Sequence, residues 1–245
     1  MKKRVYLYTP ILLFLYACQA VQPLRVQSTY YLVYQQSTQD SSIKRLLNTY
    51  RLKLRDTLHT VVAFSYQNWL NKPPDYALGN LLADALAVST PSTESVAAEL
   101  ALVNGNTIRG YWPKGNIRLE QFFHLLPADD YWGVYDIAGN DLLPILEKIA
   151  VGSNWSVSNG ISIALREGKV VSITIQGKPL DSATVYRLSV WEGIPTLGLE
   201  RQLMSYERKM STIMVRDALV QYCQKITQSG KPLSINKNKR MYALD

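Results

Sequence analysis

Side chains able to do chemistry are few in this chain of 245 residues, and they are scattered. Its two histidines, His59 and His124, stand isolated on segments of apolar periodicity and read as satisfied or surface residues rather than ligands. Two nitrogens are too few for a typical di-metal hydrolase centre, so composition argues against that kind of phosphoesterase. The two cysteines, Cys18 and Cys223, cannot make a disulfide scaffold. Cys223 falls where Val215, Leu219, Tyr222 and Ile226 recur at helical spacing. It reads as a small buried apolar side chain rather than a nucleophile. Gly105 and Gly110 have the outer spacing of a phosphate loop, but Tyr111 stands where its Lys belongs. The sequence holds no G-x-S-x-G elbow, no H-E-x-x-H, no C-x-x-C and no complete G-x-x-x-x-G-K-[ST].

The formal net charge of +8 suggests a polyanion or a membrane as partner, but part of it is disposable. Lys2, Lys3 and Arg4 precede an apolar stretch over residues 5–17 that only Thr9 and Pro10 interrupt. A spanning helix needs ~20 residues, so this shorter stretch reads as the core of an export signal. It ends in Leu15-Tyr16-Ala17-Cys18, which resembles the bacterial lipoprotein lipobox. Cleavage before Cys18 exposes a thiol for diacylglyceryl transfer and an amine for acylation. The alternative is an ordinary secretory signal with an incidental cysteine. Loss of the three leading cations leaves about +5, a mildly basic exported protein rather than a nucleic-acid binder.

The elements that must position any site follow from periodicity. Residues 1–17 are expected as a lipoprotein signal and 18–40 as a Gln-, Ser- and Thr-rich tether with a possible first strand at 30–34. Residues 41–58 are expected as a helix, with Ile43, Leu46, Leu47, Tyr50 and Leu54 on one face. Its cations, Lys44, Arg45, Arg51 and Lys53, lie largely off that face and read as solvated. Strands are expected at 61–66, 100–103, 131–137 and 184–191, and helices at 78–88, 119–126, 142–151 and through Cys223. Asp75 is a candidate cap, Gly139-Asn140 a turn, and Glu167-Gly168 the centre of a hairpin joining 161–165 to 170–175. The tail with Lys231, Lys237, Lys239 and Arg240 is expected to be solvated. Strands and helices interleave without a regular βαβ rhythm, so the fold class is α+β or mixed α/β, one domain over 41–245.

A series of short motifs over residues 41–228 resembles the C-terminal domain family of 5'-nucleotidases. Leu78-Gly79-Asn80-Leu81-Leu82-Ala83-Asp84-Ala85 is similar to its L-G-N-L-x-A-D-A motif, and Asn104-Gly105-Asn106-Thr107-Ile108-Arg109 to its N-G-G-G-I-R turn. Leu125-Leu126-Pro127, Leu146-Glu147, Ser158-Asn159-Gly160-Ile161, Gly177-Lys178-Pro179-Leu180-Asp181 and Tyr186-Arg187-Leu188 follow in the family's order. The resemblance implies a domain that carries the nucleotide, while a separate metallophosphoesterase domain holds two divalent metals and performs hydrolysis. This chain looks like the carrying half, with no cofactor of its own. It is expected not to hydrolyse phosphate esters without a separate metallophosphoesterase chain as partner.

Carried over residue by residue, Arg109 matches the phosphate-facing Arg, beside a turn whose exposed backbone N–H groups could join it around an anion. Asn104 matches a ligand-contacting Asn. The alternatives are a surface Arg and an Asn that holds the turn. Asn80, Asp84 and Gly105 are expected to be structural. Both stacking rings of the family are missing: Ala128 stands at one position and Gly193 at or near the other. Asn106 and Thr107 replace glycines of the turn, and 197–199 lack the ribose-contacting carboxylate. Tyr131, Trp132 and Trp191 are the candidates to compensate. The expected function is the nucleotide- or phosphate-ligand-binding subunit of a split nucleotide hydrolase, lipid-anchored in the cell envelope and facing the periplasm. The alternative is a lipoprotein binding module or interaction scaffold with a degenerate pocket.

Overall fold

The computed structural model describes residues 40–72, 76–89, 98–152, 154–193, 199–236 and 238–244. The expected signal with Cys18, the strand at 30–34, the cap at Asp75 and Lys237 lie outside the described residues. The chain divides into two compact units, residues 1–47 and 48–245, the division falling inside helix α1 (Ser41–Leu58). Asp40 starts this helix, its Oδ1 accepting the N–H groups of Ser42 at 2.8 Å and Ile43 at 3.3 Å. Periodicity predicts the helix, yet no residue of it is buried, and its apolar stripe is 50–58% exposed.

The second unit begins with β1 (Val61–Ser65), α2 (Ala77–Val88) and β2 (Leu100–Asn104), and continues with β3 (Gly115–Arg118), α3 (Leu119–Leu125) and β4 (Gly133–Ala138). Next come α4 (Gly139–Val151), β5 (Trp155–Val157), the hairpin β6 (Ile161–Arg166) and β7 (Lys169–Ile175), β8 (Lys178–Pro179) and β9 (Val185–Trp191). It closes with α5 (Leu199–Leu203), β10 (Lys209–Met210), α6 (Val215–Gln228) and β11 (Met241–Ala243).

The central sheet has the order β10-β4-β9-β2-β5. β2 is buried along its whole length. Its alternate residues enter two cores: Ala101 and Val103 pack with α2 and α6, while Leu100 and Leu102 pack with α4 and the β6–β7 hairpin. A strand covered on both faces must read as a continuous apolar run, which Leu100-Ala101-Leu102-Val103 does. The hairpin turns through Glu167 and Gly168, both at positive φ, 51° and 74°, as a tight two-residue turn requires.

Two expectations are corrected, the Gly139-Asn140 turn and the solvated tail. Gly139 and Asn140 form no turn but the first residues of α4. Their N–H groups are bound by the carbonyls of Thr184 (2.8 Å) and Ser182 (3.0 Å), so the loop before β9 satisfies the helix start directly. The position before α2 is Tyr76, at φ 40°, with no side-chain cap. The C-terminal tail is not simply solvated: β11 pairs in parallel with β6, and Arg240 is 6% exposed. Among the described residues no helix is long and apolar enough to cross a membrane.

Candidate functional site

Parallel pairing of β2 with β9, with Val103 opposite Trp191, puts both carboxyl ends at the same end of the central sheet. β4 runs antiparallel to β9, Gly133 opposite Val190, and brings the approach from Asp130 to the same end. Just beyond β2 the chain makes one 3-10 turn, Gly105–Thr107, and then presents Arg109.

The turn is held from inside. Asn104 is fully buried; its Oδ1 accepts the Asn106 N–H at 3.1 Å, and its carbonyl accepts the Thr107 hydroxyl at 2.8 Å. Gly105 donates its N–H to the Asn154 carbonyl at 2.6 Å, and a Cβ at this position would lie 2.6 Å from that same oxygen. Only glycine fits there. The Asn71 amide donates to the Gly105 carbonyl at 2.9 Å while its Oδ1 accepts the Gly79 N–H at 3.1 Å, tying the turn to the start of α2. Ile108 N–H returns to the Gly105 carbonyl and Arg109 N–H to the Leu125 carbonyl. The N–H groups of 105, 106, 108 and 109 are therefore already bonded within the protein. These four amides are taken up by the fold, and Arg109 places its guanidinium beside them.

Arg109 is exposed and lines a cleft of about 250 Å³ with Asn106, Thr107, Ala128, Trp191 and Gly193. Ala128 and Gly193, the positions where the resemblance implies rings, thus meet in the cleft that Arg109 lines. Gly193 has φ +63°, and its Cα faces Thr107, the residue that replaces a turn glycine. Of the three candidate replacements, Trp191 lines this cleft, 4% exposed, and its buried Nε1–H has no hydrogen-bond partner among the described residues. Tyr131 lines an adjoining cleft of about 190 Å³ beside Arg208, and Trp132 is fully buried in the core.

The Leu126–Ala128 wall is held by a residue that sequence reasoning missed. Arg216 on α6, 6% exposed, donates to the Leu126 carbonyl at 2.9 Å and to Asp129 at 2.6 Å, and lies 4.1 Å from the Phe123 ring centre. Sequence offers no signal for it, because its partners lie nearly 90 residues away.

The other matched motif stands apart from the Arg109 cleft. Asp84 receives both ends of the Arg240 guanidinium, at 2.8 and 2.7 Å, and the Asn159 N–H at 2.8 Å. Arg240 also donates to the carbonyls of Asn80 (3.2 Å) and Val157 (2.6 Å). Asn80 and Asp84 thereby fasten the C-terminal segment to α2.

Cys223 is fully buried, and burial pushes its thiol up, which silences it as a nucleophile. Burial, with the Asp84 carboxylate beside it, pushes neighbouring Tyr222 up to about 12. The Arg187 side chain, bonded to Asp136 at 2.7 and 2.9 Å, holds that carboxyl below its ordinary value. His59 pairs with Glu120 at 3.6 Å on the surface, and His124 is exposed. Among the described residues no group of three or more His, Cys, Asp or Glu could hold a metal. The donor set does not fit a catalytic di-metal centre.

The unit is mixed α/β, and Arg109 lines one of its clefts with small side chains at the carboxyl ends of β2 and β9. Residues 56–198, more than half of the chain, match the family model described as 5'-nucleotidase, C-terminal domain. The chain belongs to this family. A comparison with curated proteins finds no match. Among solved structures it is similar to a 5'-nucleotidase precursor from Thermus thermophilus, with a TM-score of 0.67 and 20% identity, over 82% of this chain and 43% of that one. A sulfate thiohydrolase of Thermus thermophilus aligns with a TM-score of 0.60 and 16% identity, over 83% of this chain and 38% of that one. An NAD nucleotidase of Haemophilus influenzae aligns with a TM-score of 0.58 and 15% identity, over 84% and 42%. These likenesses establish the fold. The chain spans about four-tenths of the length of each of these three structures.

Proposed function

We propose that this chain is the phosphate-ligand-binding half of a split periplasmic nucleotide hydrolase, and that a separate metallophosphoesterase chain supplies the divalent metals and the hydrolytic step. The observation that carries the reading is the meeting of Arg109 with Ala128 and Gly193 in one cleft. A guanidinium there can grip a phosphate through two N–H donors, whereas among the described residues the walls offer no pair of rings for a base. Trp191 is the aromatic side chain that the described residues give the cleft. The ligand is accordingly read as a nucleotide or other phosphorylated small molecule, held by its phosphate.

The chain's own residues position rather than react. Arg109 binds and orients the anion, Asn104 and Gly105 hold the turn that carries it, and Arg216 keeps the opposite wall in place. Metal chemistry finds no ligand set among these groups, so no step is routed through them. The reading also includes a lipid anchor at Cys18, supported by the Leu15-Tyr16-Ala17-Cys18 pattern.

Hydrolysis assays test the split. The purified chain should leave AMP and UMP intact with added manganese, cobalt or zinc, and affinity purification from its own cell envelope should recover a metallophosphoesterase that turns them over. Robust turnover by this chain alone after stringent purification would refute the reading.

A further inference from the structure

We propose that α1 is an interfacial helix that lies on an anionic lipid surface. At 100° per residue, Ile43, Leu46, Leu47, Tyr50 and Leu54 fall within one stripe about a third of the helix circumference wide. All five are exposed, between 50 and 58%. Such a stripe in water calls for a partner.

The charges decide which partner. Lys44, Arg51 and Arg55 line one flank of the stripe and Lys53 the other, while the helix's single acid, Asp56, projects from the opposite side and reaches, of these four, Arg55 alone, at 3.3 Å. Two copies pressed stripe to stripe would set these cations against each other, with Asp56 offsetting Arg55 alone. An anionic membrane surface reverses that: the stripe enters the headgroup boundary while each flanking cation meets lipid phosphate. Tyr50 suits the boundary, with an apolar ring and a polar hydroxyl. At 18 residues with five cations, the helix is built to lie on a bilayer and not to span one.

The inference is independent of the Cys18 anchor, and its test removes that anchor. The full chain carrying Cys18→Ser is sedimented with vesicles of phosphatidylcholine alone or with about one-third phosphatidylglycerol. It should pellet with the anionic vesicles, barely with the neutral ones, and progressively less as salt rises. Each flanking cation near the surface is worth about fivefold, so the Lys44→Gln/Arg51→Gln/Arg55→Gln chain should bind roughly 100-fold more weakly. Leu47→Glu/Tyr50→Glu, at the centre of the stripe, should abolish binding. Equal pelleting with both vesicle types would overturn the proposal. So would binding that survives these substitutions, which would assign it to residues 5–17, or a dimer in ultracentrifugation that Leu47→Glu/Tyr50→Glu dissolves, which would assign the stripe to a second copy.

Discussion

Thr107 and Gly193 fit each other at the mouth of the Arg109 cleft: a Cβ on Gly193 would lie 2.5 Å from Thr107 Cγ2 and 3.0 Å from its Oγ1. The turn position expected as glycine carries a methyl and a hydroxyl, and the position expected as a ring carries nothing. A ring placed at Gly193 alone would put two side chains in the same space.

That pairing gives the first prediction. Gly193→Phe should destabilise the chain by ~1–3 kcal/mol through overpacking, with a further cost from its positive φ. Thr107→Gly in the same chain should recover part of the loss, giving a coupling of about 0.5–3 kcal/mol between the sites. Urea denaturation of the two single variants and the double variant measures it. Strictly additive losses would show that the contact carries no energy.

The second concerns the ion pair that fastens the tail. Arg240 and Asp84 side chains are 5% and 17% exposed, and Arg240 also serves the carbonyls of Asn80 and Val157. Removing one member of such a pair costs about 3–5 kcal/mol, so Arg240→Met should lower the denaturation midpoint markedly. Replacing both, as Arg240→Met/Asp84→Leu, should cost less than Arg240→Met alone. Ligand affinity in the folded fraction should stay unchanged, because neither residue lines the Arg109 cleft.

Much of this architecture was readable from local pattern. The apolar run of β2, the Glu167-Gly168 hairpin and the stripe of α1 each follow from the period of side chains along one element. What periodicity misses is set by distant backbone. Gly139-Asn140 looks like a turn until the loop at 181–184 supplies the acceptors for a helix start. Arg240 looks solvated until the tail returns as β11 to meet Asp84. At the site, Arg109, Ala128 and Gly193 are named by motif matching alone, and the fold brings them to one cleft. The internal use of the turn's N–H groups was not legible, because their acceptors include Asn154 and Leu125, far along the chain.

A third prediction follows from Asp136. Its hydrogen bonds from Arg187 lower its pKa from the ordinary 3.8. A depressed folded pKa means that the unfolded chain binds the proton more tightly. The pair's stabilisation is therefore present above the unfolded value and lost as pH falls through the folded one. Arg187→Gln should flatten the loss of stability below about pH 4, as read by thermal melts across acid buffers. An unchanged acid limb would remove Asp136 from the account.

The anchor is checked by mass. Extracted from membranes, the mature chain should begin at Cys18 carrying a diacylglyceryl thioether and an acylated amine, because stable membrane attachment needs more than one acyl chain. An unmodified terminus at another residue would contradict it.

The central claim is that Arg109 holds a phosphate in a cleft indifferent to the base, and calorimetric titration tests it most directly. AMP, UMP and ribose 5-phosphate should bind the wild-type chain with similar affinity. A charge-assisted bond contributes about 1.5–3 kcal/mol, so Arg109→Ala should weaken all three by roughly 10- to 150-fold. Arg109→Lys should recover only part, since an ammonium lacks the planar fork. Folding should be unaffected, because the side chain is exposed. A strong preference for adenine, or an Arg109→Ala chain that binds all three ligands normally, would contradict the account.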